Sequence, residues 1–300
     1  MSSLGRREQW AAYGFLTPAF SFYLLFVAIP LLAAIGFSFF YIDRTTLSFD
    51  FAGLENFRFV YSDPRFWKTF QNTFYFISLA VVGNVGGGLV LAVLLNRTLP
   101  RFVLYVFRLA YFFPVLVATA FITFIWKFLY SNDLGILNYY LREIGLSGVG
   151  WLSDARVAMI SVVIMDVWKH VGFFMIILLA ALQGVPRDLI EAAKIDGASE
   201  FSIFRNIIVP FISPVILFCV TYASIGGLQV FDSIRILTNG GPGDSTRTVV
   251  LYMFDEAFGV GDLSTGTVAA LTLLIAIAIV VALQMYISRR WVLGLGGRAC

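Results

Sequence analysis

Three ionisable side chains and a tryptophan stand close together inside an otherwise apolar run of the sequence. They are Asp166, Trp168, Lys169 and His170, within residues 157–183. A charge near the centre of a bilayer costs at least ~2.5–3.5 kcal/mol on insertion scales, so such a group normally faces other helices or water. Asp166 precedes Lys169 by three residues and His170 by four, so a helix would allow it to pair with either. Two interpretations stay open, a self-neutralising structural pair and a set of polar groups that face water.

Enzymatic chemistry has little support elsewhere in the chain. His170 is the only histidine, and Cys219 and Cys300 are the only cysteines, so the sequence excludes a multi-histidine metal site and predicts neither a metal cluster nor a disulfide framework. No loop carries a nucleophile beside a base. None of the lysines follows a glycine, which excludes the phosphate-binding loop of an ATPase. We therefore expect no catalytic residue, metal or cofactor in this chain.

The composition indicates whether the chain is surrounded by water or by lipid. Of the 300 residues, 59% are apolar and 13% are charged, against roughly 25% charged in an ordinary soluble domain. A soluble globule of this composition would expose apolar patches larger than monomers tolerate. The formal net charge of +3 is too small to indicate nucleic-acid binding. The chain is therefore predicted to be an integral membrane protein in contact with lipid.

Six apolar runs are long enough to cross the ~30 Å hydrocarbon core as helices, which takes about 20 residues. They cover residues 11–42, 70–95, 103–130, 157–183, 207–231 and 266–288. The first run is too long for one straight helix, and we expect Pro18 and Pro30 to break it into an interfacial entry and a tilted helix. Pro114 should kink the third run. The predicted fold is all-α, a single transmembrane domain over residues 1–300 with its core at about 70–290.

Glycines in two of these runs predict local features. Gly83 and Gly87 would let the second helix approach a neighbour closely, and ordinary packing explains such glycines as well. Gly226 and Gly227, adjacent to each other inside the fifth run, indicate a loosened backbone, which is useful only beside a cavity or a partner.

The polar segments between the runs differ in positive charge. Segments 1–10, 96–102, 184–206 and 289–300 hold ten Lys and Arg in 52 residues, whereas segments 43–69, 131–156 and 232–265 hold eight in 87. Cytoplasmic loops carry the excess of positive charge, and the pairs Arg6-Arg7 and Arg289-Arg290 flank the outermost runs. Both termini are therefore predicted to be cytoplasmic.

The inner loop at residues 184–206 has the pattern of a helix–turn–helix. Pro186 suits the first turn of a helix, Gly197 suits a left-handed stop, and Ser199 can cap a second helix. A helix lying on anionic lipid usually carries basic residues. This loop instead carries Glu191 and other acids, which favours a protein partner.

The same loop resembles a known family. From Glu191 to Pro210 it reads Glu-Ala-Ala, three residues, Gly, nine residues, Ile, one residue and Val-Pro. This pattern resembles the EAA loop of binding-protein-dependent ABC importer permeases, which usually have Leu in place of Val209. The segment 237–242, Leu-Thr-Asn-Gly-Gly-Pro, resembles the sugar branch of that family, the permeases for maltose-like oligosaccharides and glycerol phosphate. Smaller matches at residues 53–60, 72–73, 125–127 and 135–138 extend the resemblance over nearly the whole chain.

The resemblance implies a division of labour among several chains in a bacterial inner membrane. In the family, two homologous permeases form the path, and the EAA loop forms a coupling helix in the groove of a cytosolic ATPase. Two ATPases bind ATP and Mg²⁺, and a periplasmic or lipid-anchored binding protein delivers the solute. This chain would then be a multi-pass, non-enzymatic transport subunit for a sugar, oligosaccharide or related polyol or glycerophosphate-type solute.

The resemblance also implies residue roles. The coupling residues expected from the loop are Glu191, Ala192, Ala193, Asp196, Gly197 and Pro210. The substrate path is expected at Asp166, Trp168, Lys169, His170, Tyr222, Ser224, Gly227 and Gln229. Trp168 would offer an apolar face of the kind on which sugars stack. For the last four residues, packing against the partner permease is a comparable alternative. An anionic solute would use Lys169, but a lysine paired with Asp166 leaves the charge of the solute undecided.

Two other functional classes compete with this interpretation. A secondary transporter driven by an ion gradient would predict an inverted repeat and ion-coordinating broken helices. No internal repeat is visible, and the amphipathic inner loop would have no role. A membrane enzyme would need clustered acids, histidines or metal ligands near an interface. The acidic outer segment 232–265 is a further candidate, either as a docking site for the binding protein or as a solvated loop.

Overall fold

The computed structural model describes residues 3–43, 48–97, 100–289 and 291–292 of the chain. Arg290, Arg298 and Cys300 lie outside the described residues, as do the side chains of Arg6 and Arg7. The described chain is mostly helical, which confirms the predicted all-α class. Its contacts divide it into two compact units, which are described separately. The prediction of a single domain over residues 1–300 stays a prediction.

The first unit contains Met1–Asp63 and Tyr252–Thr272. It begins with helix α1 (Ser3–Tyr23), a π-helical turn (Leu24–Ala28) and helix α2 (Ile29–Phe37). It continues with strands β1 (Phe40–Asp43) and β2 (Ser48–Phe51) and helix α3 (Glu55–Ser62). Its second segment takes in the end of α14 (Val249–Phe254), a π-helical turn (Asp255–Val260) and the first part of α15 (Leu263–Ser288).

The predicted break at the two prolines of the first run is wrong. Pro18 lies inside α1, and residues Glu8–Phe37 form a continuous stretch long enough to cross a membrane. Just before Pro30, the N–H of Ile29 donates to the carbonyl of Leu24, five residues back. The π-helical turn therefore shifts the hydrogen-bond register where proline has no donor, and Pro30 falls in the first turn of α2, where proline is tolerated.

The predicted end of the first run at residue 42 is also wrong. The helix ends at Phe37, and the chain turns into an antiparallel hairpin in which Phe40 lies opposite Phe51. The rings of these two residues are 5.4 Å apart, edge to face. The amide nitrogen of Asn56 donates to the carbonyls of Ser38 and Phe40, at 3.0 Å each. These two bonds satisfy backbone acceptors at the end of the helix and hold the turn.

The second unit contains Pro64–Leu251 and Leu273–Cys300. Its long helices are α4 (Pro64–Val81), which passes through a π-helical turn (Val82–Gly86) into α5 (Gly87–Leu95), then α6 (Arg101–Leu116), α7 (Thr119–Leu129), α9 (Ala158–Gln183) and α12 (Val209–Leu228). Shorter helices are α8 (Ile136–Glu143), α10 (Arg187–Ile195), α11 (Glu200–Ile203) and α13 (Asp232–Leu237). A π-helical turn (Phe204–Ile208) joins α11 to α12.

The close helix approach predicted from the glycines of the second run is confirmed. A Cβ added at Gly83 would lie 2.5 Å from Val167, and one added at Gly88 would lie 2.7 Å from the Cβ of Phe174. On the other side of α9, a Cβ at Gly172 would collide with the backbone of α6. Helix α9 is thus packed closely between α5 and α6.

The third run bends by a larger angle than a proline kink would produce. Helices α6 and α7 meet at an angle of 101°. Val117 and Ala118 between them are extended, and the bend follows Pro114 by three residues. Five helices of the described chain are long and apolar enough to cross a membrane, and the bent pair would make a sixth if it is one crossing. The expectation of six spans stays a prediction.

Candidate functional site

The inner loop folds as the helix–turn–helix expected from its sequence. Helix α10 ends in a pair of bonds, from the N–H of Gly197 to the carbonyl of Lys194 and from Ala198 to Ala193. This is the Schellman arrangement, which requires a left-handed residue after the helix, and Gly197 has φ +77°. The hydroxyl of Ser199 then accepts the N–H of Ser202 at 3.2 Å and caps α11. Pro186 occupies the N-cap position of α10, one residue before the helix begins.

Several apolar side chains of the inner loop are exposed. Ile195 is 87% exposed, Phe201 70% and Leu189 48%. Glu191, Ala192 and Asp196 are also exposed, Ala193 is half-buried, and Pro210 lies in the first turn of α12. Lys194 and Glu200 form an ion pair across the turn, at 3.3 Å. An amphipathic helix that presents such side chains is suited to lie in a groove of another protein. The coupling roles of these residues stay predictions.

The polar group inside the apolar run forms a connected cluster around Asp166. One carboxylate oxygen of Asp166 lies 3.1 Å from Nδ1 of His170, and the other accepts the amide of Asn84 at 3.0 Å. Asn84 belongs to the π-helical turn between α4 and α5, and such turns are frequent at functional sites. The carbonyl oxygen of Asn84 is buried without a hydrogen-bond partner. Asn84 is not among the site residues predicted from the sequence, although an amide beside Gly83 inside an apolar run was a signal for it.

Lys169 stands apart from this pairing. It is only 4% exposed, yet its ammonium makes no hydrogen bond and no ion pair within 4.0 Å among the described residues. Asp166 attracts it electrostatically from beyond that distance. Of the two pairings that the spacing allowed, the structure forms the one with His170.

Trp168 points away from Asp166 on α9, since two positions along a helix are about 200° apart. It is half-exposed and packs edge to face with Trp126 of α7, their ring centres 5.6 Å apart. Both rings line an apolar pocket of about 210 Å³ with Ile122, Ile125 and Leu129. The structure therefore does not bring Trp168 together with the Asp166 cluster, and its place in a substrate path stays a prediction.

The four candidates in the fifth run differ in their surroundings. Tyr222 is exposed and its ring lies 5.1 Å from that of Phe173 on α9. Ser224 is buried and accepts a hydrogen bond from the amide of Gln284 at 2.8 Å. A Cβ at Gly227 would lie 2.6 Å from Ile77, so this glycine permits close packing of α12 on α4, and α12 continues through it. Gln229 caps α12 and is exposed.

A second polar network orders the loop that follows α13. Nε of Arg247 donates to Asp244 at 2.6 Å, and Arg65 lies 3.6 Å from the same carboxylate. The hydrogen bond from Arg247 lowers the pKa of Asp244 below its ordinary value. The amide of Asn72 donates to the carbonyls of Asp244 and Arg247, at 2.7 and 2.9 Å. These contacts stabilise the turn, as expected for a Gly- and Asn-rich segment.

The parts of the chain that the structure describes contain no group of side chains that could bind a metal ion. No set of three His, Cys, Asp or Glu side chains there is arranged to hold an ion. The arrangement as a whole, an exposed amphipathic loop and a small polar cluster within an apolar helix, is suited to docking and solute binding.

Comparison with known proteins agrees with this arrangement. Residues 84–293 match the family model described as the inner membrane component of binding-protein-dependent transport systems. The lactose transport system permease protein LacF of Rhizobium radiobacter is 33% identical, over 96% of this chain and 97% of its own length. The trehalose/maltose transport system permease protein MalF of Thermococcus litoralis is 36% identical, over 89% of both chains.

A third relative and a solved structure extend the comparison. The sulfoquinovosyl glycerol transport system permease protein SmoG of Agrobacterium fabrum is 31% identical, over 91% of this chain and 89% of its own. A chain of a bacterial ABC transporter that imports alginate has the same fold, with a TM-score of 0.83, 21% identity and 95% and 96% coverage. The family is a membrane component and not a catalytic subunit. The chain therefore belongs to the inner membrane components of binding-protein-dependent transport systems, the multi-pass permeases of ABC importers, as its sequence predicted.

Proposed function

We propose that this chain forms, with a second homologous permease, the path of an ATP-driven importer for a sugar, oligosaccharide or related polyol or glycerophosphate-type solute. The solutes named for its relatives, which include lactose, trehalose, maltose and sulfoquinovosyl glycerol, support this class. A pair of cytosolic ATPases binds ATP and Mg²⁺, and a periplasmic or lipid-anchored binding protein delivers the solute. A solved relative of this fold is in complex with a periplasmic protein carrying an alginate pentasaccharide, which supports that last partner.

The observation that carries the proposal is the inner loop with its exposed apolar residues. The exposed side chains of Leu189, Ile195 and Phe201 give the loop an apolar surface, and contact of such a surface with water is unfavourable. The turn at Gly197 sets the direction in which α11 leaves α10. The loop therefore has the size, amphipathic character and rigid turn of an element that transmits motion from an ATPase groove to α9 and α12. Glu191, exposed on α10, contacts or steers that groove.

The path itself is proposed to run beside α9. Asp166, His170 and Asn84 form a connected polar cluster within the spans, where polar groups normally face a cavity or each other. Lys169 on the same helix and Tyr222, whose ring packs on Phe173 of α9, extend it. The positive charge of the segments that include the inner loop supports an orientation with both termini in the cytoplasm.

Co-purification tests the proposal. The tagged chain, solubilised from its native membrane, should retain a cytosolic ATPase and a second permease. Ile195→Asp, which places a charge on the apolar surface of the inner loop, should release the ATPase without loss of the second permease. Ile144→Asp is the matched control, since Ile144 directly follows α8 and is 72% exposed, whereas Ile195 is the last residue of α10 and is 87% exposed. An ATPase that is retained equally by both variants would contradict the docking role of the loop.

A further inference from the structure

An arginine lies inside the third apolar run without a partner. Arg108 is in the first half of α6, which spans Arg101–Leu116 and carries no acidic residue. Its Nε is buried and makes no hydrogen bond, and no carboxylate of the described residues lies within 4.0 Å of its guanidinium. An arginine within a membrane span normally pairs with another group or reaches the interface. None of the described residues is such a partner, which leaves the position open to a group from outside the chain.

The packing of α6 determines the direction in which the Arg108 side chain leaves the helix. Leu104 and Tyr111, four residues before it and three residues after it, pack on the buried core that includes Phe174 of α9. Arg108 therefore lies on the same face of α6, and it is half-buried there. Because the Cα–Cβ bond of a helical residue tilts toward the N-terminus, the side chain leaves the helix in the direction of Arg101.

The first end of α6 lies at a membrane surface, within reach of lipid headgroups. Arg101 is exposed and belongs to the polar segment 96–102. Phe102 and Tyr105 are 77% and 63% exposed, as in the aromatic belt at a membrane–water interface. With a rise of 1.5 Å per residue, the Cα of Arg108 lies about 10 Å along the helix from that of Arg101. A side chain that extends toward the interface shortens this distance, which brings the guanidinium near the boundary between headgroups and acyl chains in whichever leaflet this end occupies.

An apolar cleft follows Arg108 along α6. It has a volume of about 340 Å³ and is lined by Leu109, Ala110, Phe112, Phe113 and Leu116. Phe112 is four positions after Arg108, so the two side chains are neighbours on the surface of the helix. From the membrane surface inward, α6 thus presents a cation and then an apolar cleft. This is the order of phosphate and acyl chain in a phospholipid.

We propose that Arg108 and this cleft bind an anionic phospholipid, whose phosphate accepts hydrogen bonds from the guanidinium while one acyl chain lies along Phe112 and Phe113. Arginine presents a planar fork of donors that matches a phosphate, and such charge-assisted bonds are stronger than bonds between neutral groups. Basic positions between membrane helices bind anionic headgroups in this way. A zwitterionic headgroup also carries an ammonium group, and α6 has no acidic residue to receive it. The inference goes beyond the proposed function, because it concerns a lipid and not the transported solute.

The test measures lipid binding by the purified protein with the partners that it retains. The protein in detergent is given equimolar dioleoyl phosphatidylglycerol and dioleoyl phosphatidylcholine, and the lipids that remain after exhaustive detergent exchange are quantified by mass spectrometry. The acyl chains are identical, so a preference for phosphatidylglycerol reports the headgroup. We expect Arg108→Gln to lower the ratio of the two lipids about fivefold, equivalent to ~1 kcal/mol. Arg108→Lys, which keeps the charge, should retain most of the preference.

Lys68→Gln is the matched control. Lys68 is an exposed cation four residues after the start of α4, so it also lies near the end of an apolar helix. Its removal should leave the ratio of the two lipids unchanged. Excess inorganic phosphate should not displace the phosphatidylglycerol, because the acyl chain supplies part of the binding.

Four results would overturn the inference. They are a wild type without a preference for phosphatidylglycerol, an unchanged ratio in Arg108→Gln, equal losses in Arg108→Gln and Lys68→Gln, and displacement of the lipid by inorganic phosphate. Release of the second permease by Arg108→Gln with an unchanged ratio would assign the guanidinium to a contact between permeases. The wild-type measurement requires no variant to fold, and lipid binding is measured without ATP or solute. Failure of the proposed function would therefore leave this test intact.

Discussion

Gly197 offers the sharpest test of how the inner loop works. Its φ of +77° lies in the left-handed region, which costs a residue with a Cβ about 1–2 kcal/mol. A Cβ at this position would meet no atom within 4 Å, so Gly197→Ala changes the backbone strain and nothing else. A change of 1–2 kcal/mol alters an equilibrium by a factor of about 5–30. We expect solute-stimulated ATP hydrolysis and uptake to fall by about that factor, because the turn that directs α11 is populated less.

The chain contains a matched control for this substitution. Gly145 ends α8 with the same pair of bonds, from its own N–H to Arg142 and from Leu146 to Leu141. Its φ is +80°, and a Cβ there would also meet nothing within 4 Å. Gly145→Ala therefore introduces the same strain in a different loop.

The assay compares the two variants and one rescue in proteoliposomes containing the assembled importer. Gly197→Ala should lower stimulated hydrolysis, Gly145→Ala should not, and Gly197→Asn should recover part of the loss, since asparagine tolerates the left-handed region better. Membrane levels of all three should be similar. Equal losses in the two alanine variants would refute the reasoning, because the effect would then come from strain in general and not from coupling.

Two further predictions concern stability. Gly88→Ala should destabilise the protein by about 1–3 kcal/mol, because the new Cβ would lie 2.7 Å from Phe174 and 3.0 Å from the backbone nitrogen of the next residue. Thermal unfolding in detergent should show a lower Tm for this variant than for Gly86→Ala, whose new Cβ would meet nothing within 4 Å. Equal Tm values for the two variants would contradict the packing. The lowered pKa of Asp244 beside Arg247 means that this pair stabilises the fold above the ordinary carboxyl pKa, with the contribution lost as the pH falls through the lower folded value. The stability difference between the wild type and Asp244→Asn, followed by unfolding at pH 3–7, should therefore shrink below about pH 4, and a difference independent of pH would count against the pair.

Local rules predicted the features that depend on neighbouring residues. The stop at Gly197 and the cap at Ser199 each follow from the geometry of one helix turn, and the pairing of Asp166 with His170 is one of the two pairings that the spacing allowed. Each was visible in the sequence because the interacting groups are at most five residues apart.

The features that sequence reasoning missed depend on distant contacts. Asn84 joins the Asp166 cluster across 82 positions of sequence, and no spacing rule links the two. The hairpin after the first helix depends on Asn56, which binds carbonyls 16 and 18 residues back. Pro30 does not break its helix because the preceding turn changes register, whereas the 101° bend after Pro114 exceeds what a proline alone produces. Proline removes a backbone hydrogen bond from a helix, and the surrounding packing determines whether the helix bends or breaks at that position.

The central claim is that this chain moves its solute with energy taken from ATP by a partner. The most direct measurement is solute uptake by the reconstituted importer under two energy sources, internal ATP without an ion gradient and an ion gradient without ATP. We predict uptake that requires ATP, Mg²⁺ and the binding protein, and that ionophores leave unchanged. Uptake driven by the gradient alone would contradict the account and favour a secondary transporter.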